Sequence, residues 1–195
     1  MPVPGYIDAT RISPRLYVGS RPRTGVLLHD AGFHALVLCA LPSEYDQIYG
    51  ASGQPLYARF AGLYVIGCPL DDSAKYRPDP SSIQRARDVA REVAIAVLRG
   101  KRVLLTCMEG RNRSAFVAAL ALHELSGRSG PDCEAKVRAE RGAQLGPDKP
   151  VLFNTYFRAI LATVEQKVPD HPRHRVVSPG APQSSESSDS NGGGS

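Results

Sequence analysis

The sequence predicts an α/β domain with a mostly parallel central sheet of about four to five strands flanked by helices. Within residues 1–168, short apolar runs bounded by turn residues alternate with stretches of helical periodicity. At 195 residues the chain has room for one sizeable core and an appendage, and is too short for two comfortable domains. Hydrophobic residues make up 42% and charged residues 22%, a globular profile that excludes disordered and membrane-embedded classes. No apolar run approaches the length needed to span a bilayer.

Strands are expected at 16–18, 35–39, 64–66 and 103–106, each a compact apolar run between turn residues. Between the last two, Asp79 supplies a helix cap and Pro80 a first helical position. Ile83, Ala86, Val89, Ala90, Val93 and Val97 then recur at helical spacing, leaving Arg85, Arg87, Arg91 and Glu92 on the wet side, and the helix stops at Gly100. The strand at 103–106 runs directly into Cys107. A helix over 114–126 follows and stops at Gly127. Two more are predicted over 132–141 and 150–166, the second with Leu152, Phe153, Tyr156, Phe157, Ile160 and Leu161 as a broad apolar face closing the sheet. Residues 169–195 turn to Pro, Ser and Gly with too little apolar surface to offset chain entropy, and are predicted to be a disordered tail.

The first ten residues lack the basic start and apolar stretch of a secretory signal, so a cytoplasmic location is expected. Cys39, Cys68, Cys107 and Cys133 are spaced too widely for a zinc site and are expected to be free thiols. A net charge of +5 favours anionic partners, whether phosphoproteins, phosphoinositides or nucleic acids.

The informative segment is Val103-Leu-Leu-Thr-Cys107-Met108-Glu109-Gly110-Arg111-Asn112-Arg113-Ser114, a strand, a tight loop and a helix start. A loop in that position points successive backbone N–H groups, those of Met108 to Arg113, into one concavity that fits a phosphate. Gly110 lets the backbone turn without a side-chain clash. Arg113 adds a planar, permanently charged fork for two phosphate oxygens. The same dipoles and charge favour the thiolate of Cys107. A nucleophile and an anion cradle thus coincide. Arg111 reads as a contact for a second phosphate or as a solvated loop arginine. Glu109 opposes anion binding unless it points outward or pairs with an arginine, and the outward orientation is expected.

This segment resembles the Cys-x5-Arg loop of the protein tyrosine phosphatase superfamily, in its dual-specificity branch. Leu16-Tyr17-Val18-Gly19-Ser20 resembles the branch's opening strand, and Cys68-Pro69-Leu70-Asp71-Asp72-Ser73 its acid loop. Ala135, Val137, Arg138 and Arg141 are similar to its next helix, and Phe153 falls where the closing helix begins. The resemblance implies a metal-independent, cofactor-free phosphatase in which Cys107 attacks phosphorus. Asp72 protonates the leaving oxygen, with Asp71 as the rival for that role. Ser114 hydrogen-bonds the sulfur, and Arg113 with the loop amides holds the transferring group. Thr106 stands where the family usually has histidine, which implies reduced activity or a shifted pH optimum.

Three functions follow as expectations. The first is a phosphatase for phosphotyrosine and, with a shallow cradle, phosphoserine and phosphothreonine in proteins, with a monomer as the working assumption. The second keeps the chemistry for a phosphoinositide or an RNA 5′ phosphate; nucleic acid is the weaker partner because no aromatic stacking platform is evident in the sequence. The third is a phosphate-binding module without turnover. Cys39 and Cys68 read as small core residues, with capture of an oxidised Cys107 as the alternative. His123 has no partner at metal-ligand spacing and reads as structural.

Overall fold

The computed structural model describes residues 7–22, 25–49, 60, 62–73 and 77–167, and the predicted tail lies outside them. A five-stranded sheet forms the centre: β1 (Ala9–Ser13), β2 (Leu16–Ser20), β3 (Ala35–Leu38), β4 (Tyr64–Gly67) and β5 (Val103–Cys107), in the order β1-β2-β5-β3-β4. β1 pairs antiparallel with β2, and the other three pairings are parallel. Six helices complete the described fold: α1 (Gly25–Asp30), α2 (Pro42–Tyr49), α3 (Pro80–Leu98), α4 (Arg113–Ser126), α5 (Gly130–Leu145) and α6 (Thr155–Ala162).

Every residue of β3 and β5 is buried, which is why these strands are written as continuous apolar runs instead of alternating ones. α4 lies at the heart of the helical layer. It is buried from Arg113 to His123 and packs on β2 and β5 as well as on α3, α5 and α6. Phe116 of α4 stacks on Phe157 of α6 with ring centroids 4.5 Å apart, fixing the closing helix against the central one.

The helix caps follow their chemistry. Asp79 accepts from the Ser82 amide at the start of α3, with Pro80 in the first turn. Ser129 does the same for α5 through the Asp132 amide, so that helix begins two residues before its expected start and runs on to Leu145. Gly127 ends α4 in the left-handed conformation, with φ 70°.

The closing helix corrects the sequence expectation of 150–166. It spans only Thr155–Ala162, because the Asn154 side chain accepts from the amides of Tyr156 and Phe157 and so opens the helix there. Leu152 and Phe153 precede it in an irregular segment: Leu152 is buried through that segment, whereas Phe153 is left half exposed. β1, α1 and α2 had no counterpart in the expected elements. Among the described residues no helix is long and apolar enough to cross a membrane.

Candidate active site

β5 delivers Cys107 to the carboxyl end of the sheet, and the chain then turns through residues 108–112 into α4. Cys107 is 2% exposed. Its sulfur accepts hydrogen bonds from the Gly110 amide at 3.3 Å and from the Ser114 hydroxyl at 3.4 Å. Asn112 forms no side-chain cap, so the first amides of α4 are not consumed by it. Its Oδ1 instead accepts from the amides of Phe153 at 3.0 Å and Asn154 at 3.3 Å. The segment before α6 is thereby stitched onto the loop.

Gly110 has φ 68°, and a Cβ there would lie 2.4 Å from the Gly19 carbonyl carbon and 2.7 Å from Arg141 Nη2. Gly19 is closed in as well, since its own Cβ would meet the Asp8 carbonyl oxygen at 1.8 Å. The loop rests on β2 with no room for a methyl group between them.

Arg141 of α5 forms the underside. It is fully buried and donates from Nε to the Gly110 carbonyl at 3.1 Å and from Nη2 to the Glu109 carbonyl at 3.3 Å. Both Nη atoms grip the Asp8 carboxylate at 2.6 Å, and Nη1 also reaches Thr10. Burial works against the charge on Asp8. The Arg141 guanidinium and the Ser20 amide outweigh it and hold the carboxyl below its ordinary value of 3.8. Arg141→Met is expected to cost about 3 kcal/mol of stability at neutral pH, read from urea unfolding, because the guanidinium's carboxylate and carbonyl partners lose their donor. A folded-state carboxyl with a depressed pKa adds stability above its unfolded value and loses it as pH falls through the folded one. The gap between wild type and variant should therefore narrow below about pH 3.8.

Arg113 is 5% exposed. Its two Nη atoms form a fork against the Glu44 carboxylate, one at 2.9 Å to Oε1 and the other to Oε2. Nε lies 3.5 Å from Asp72 Oδ2, yet it is a buried donor without a hydrogen-bond partner. Burial disfavours the charge on Arg113, but Glu44, Cys107 and Asp72 push its pKa upward overall, so it remains a cation.

Glu44 was not among the residues expected at the site. Local structure places it: Pro42 opens α2, and Glu44 Oε2 accepts from the Leu41 amide at 2.8 Å, the returning half of a capping box. Burial raises its carboxyl, but Arg113 and the Leu41 amide win and lower it below the ordinary range. The proline followed two residues later by glutamate was the available signal.

The two rival carboxylates are placed differently. Asp72 borders the cleft beside Arg113, and its backbone carbonyl accepts from Asn154 Nδ2 at 3.1 Å. Asp71 is exposed and turns back to accept from the Ser73 amide at 2.8 Å. The Glu109 side chain is 64% exposed, pairs with Arg111 and borders the cleft. The Arg111 guanidinium also sits 5.4 Å from the centre of the Phe153 ring. Together Glu44, Asp72, Cys107, Met108, Glu109, Arg111, Asn112, Arg113 and Phe153 line a cleft of about 350 Å³.

Thr106 is fully buried and donates from Oγ1 to the Val37 carbonyl at 3.1 Å, tying the end of β5 to β3. Cys39 and Cys68 are both buried free thiols. Burial, with the Cys68 and Cys107 sulfurs close by, pushes the Cys39 thiol well above its ordinary value, so it stays protonated.

Neither a protein-family model nor a curated protein matches the sequence. Solved structures do. Tk-PTP in its active form aligns with a TM-score of 0.62 and 21% identity over 83% of this chain and 98% of that one. Human DUSP28 gives 0.59 and 21% over 83% and 92%. A kinase-associated phosphatase, with its catalytic-site cysteine replaced by serine, gives 0.64 and 17% over 83% and 94%. The chain has the fold of the dual-specificity phosphatases.

Proposed function

We propose that this chain is a cysteine-dependent phosphatase that hydrolyses phosphomonoesters, phosphotyrosine in proteins foremost, through a phosphocysteine intermediate. Residues 1–168 form its catalytic domain, acting as a monomer in the cytoplasm. Support for this reading rests on one arrangement. The Cys107 sulfur is cupped by the Gly110 amide and the Ser114 hydroxyl, and beside it is the buried Arg113 Nε–H, a donor left without an acceptor where a phosphate oxygen would bring one. The likeness to kinase-associated phosphatase, whose catalytic-site residue is a cysteine, points the same way.

In the first step a lone pair of the Cys107 sulfur attacks phosphorus and the bond to the leaving oxygen breaks. Asp72, at the cleft wall, gives that oxygen its proton. In the second step water attacks phosphorus and passes a proton to Asp72. The sulfur–phosphorus bond breaks, and the Ser114 hydroxyl steadies the departing thiolate. Through both steps negative charge on the equatorial oxygens faces Arg113 and the loop amides, an electrostatic task set up in advance. Glu44 keeps the guanidinium plane in register, and Arg141 keeps the loop carbonyls turned away from the cradle.

The direct test is hydrolysis of p-nitrophenyl phosphate with EDTA present. Turnover insensitive to the chelator is expected, with competitive inhibition by orthovanadate in chelator-free buffer. Tight phosphate binding without any turnover would instead establish a binding module.

A further inference from the structure

We infer that Phe153 selects the leaving group: its ring is the platform against which the aromatic ring of a phosphotyrosine lies while the phosphate occupies the loop. This inference rests on the phosphatase reading above. Among the described residues only Tyr64, Ile95, Leu98 and Phe153 are large hydrophobics that stand exposed, and of these Phe153 alone lines the cleft that holds Cys107 and Arg113. At 48% exposure its ring presents apolar surface in the cleft, whose lining otherwise carries charged and polar side chains together with Met108 and Cys107.

The ring is held there by construction. Its own amide donates to Asn112 Oδ1, and the preceding amide of Leu152 donates to the Arg111 carbonyl at 2.9 Å. Leu152 adopts φ 52°, a left-handed conformation that a leucine rarely takes and that persists only when the surroundings enforce it. The Arg111 guanidinium lies over the ring and is itself anchored by Glu109. A mobile surface phenylalanine would have none of these restraints.

The next residue couples recognition to chemistry. Asn154 donates from Nδ2 to the Asp72 carbonyl and also caps α6, so the acid loop and the Phe153 platform share one fixed point. A substrate ring resting on Phe153 is thereby registered against the carboxylate that protonates its phenolic oxygen. The ester oxygen of phosphoserine hangs from a single methylene, which is too small to use the platform.

The test compares matched phosphotyrosine and phosphoserine peptides on the full chain, as wild type, Phe153→Ala and Phe153→Tyr. The ratio of kcat/KM for phosphotyrosine over phosphoserine should fall about threefold to tenfold in Phe153→Ala, chiefly through KM, and return in Phe153→Tyr. Peptide affinities measured in a Cys107→Ser background should shift by the same ratio. An unchanged ratio, or tighter binding of triphosphorylated RNA than of the phosphotyrosine peptide, would overturn the platform while leaving the phosphatase reading intact. Absence of turnover of p-nitrophenyl phosphate and both peptides by the wild type would overturn both.

Discussion

Cys107→Ser is expected to abolish turnover of aryl phosphates, a fall of about 10⁴-fold or more, with the fold and the affinity for oxyanions retained. The serine hydroxyl fits where the sulfur sits and can take the same hydrogen bonds from the Gly110 amide and Ser114, so packing around a position only 2% exposed changes little. What is lost is the nucleophile of the proposed mechanism. A hydroxyl needs an adjacent general base to become reactive, and among the described residues the groups that reach the Cys107 sulfur by hydrogen bond are donors. In other enzymes removal of the nucleophile alone costs on the order of 10⁶ in kcat, so a loss of this size is the natural scale. Steady-state hydrolysis of p-nitrophenyl phosphate measures it, with the thermal midpoint as the control for folding. Residual activity near one-tenth of wild type would mean that the sulfur is not the attacking atom.

Asp72→Ala should lower kcat by about 10²-fold to 10⁴-fold on phosphate esters of poor leaving groups, and by much less on p-nitrophenyl phosphate. The dependence on leaving group follows from the chemistry. A nitrophenolate disperses its own negative charge, whereas an unsubstituted phenol or an alkanol needs a proton as the bond to phosphorus breaks. Only Asp72 of the two neighbouring carboxylates borders the cleft; Asp71 is committed to the Ser73 amide outside it. Asp71→Ala should accordingly remain near wild type. Removing Asp72 also frees Arg113 Nε from a carboxylate 3.5 Å away, so the variant should hold substrate at least as well while turning it over slowly. If the Asp71 variant shows the leaving-group dependence instead, the proton comes from the other side chain.

Much of this framework was legible in the chain itself, for identifiable reasons. β3 and β5 stand out because central parallel strands are buried on both faces and must be apolar throughout. The segment from Cys107 to Ser114 stands out because a thiol, a glycine and an arginine are needed at fixed offsets in one loop. β1 does not, since an edge strand paired only with β2 alternates buried and exposed residues over five positions and breaks register between Arg11 and Ser13. Glu44 escaped because its meaning comes from Arg113, 69 positions later, and because its helix is capped at a leucine, a residue that gives no starting signal. The closing helix was drawn too long because Leu152 and Phe153 continue the apolar pattern. The left-handed turn at Leu152 and the bonds to Asn112 that redirect them cannot be inferred from periodicity.

The grip of Arg141 on Asp8 joins positions 133 apart, and it lies directly under the loop. During synthesis the ribosome releases the cysteine and its arginine well before the helix that carries this second arginine has emerged. At that stage a nascent chain carries the proposed reactive groups but lacks Arg141, so the underside of the loop can be completed only after the α5 segment has emerged.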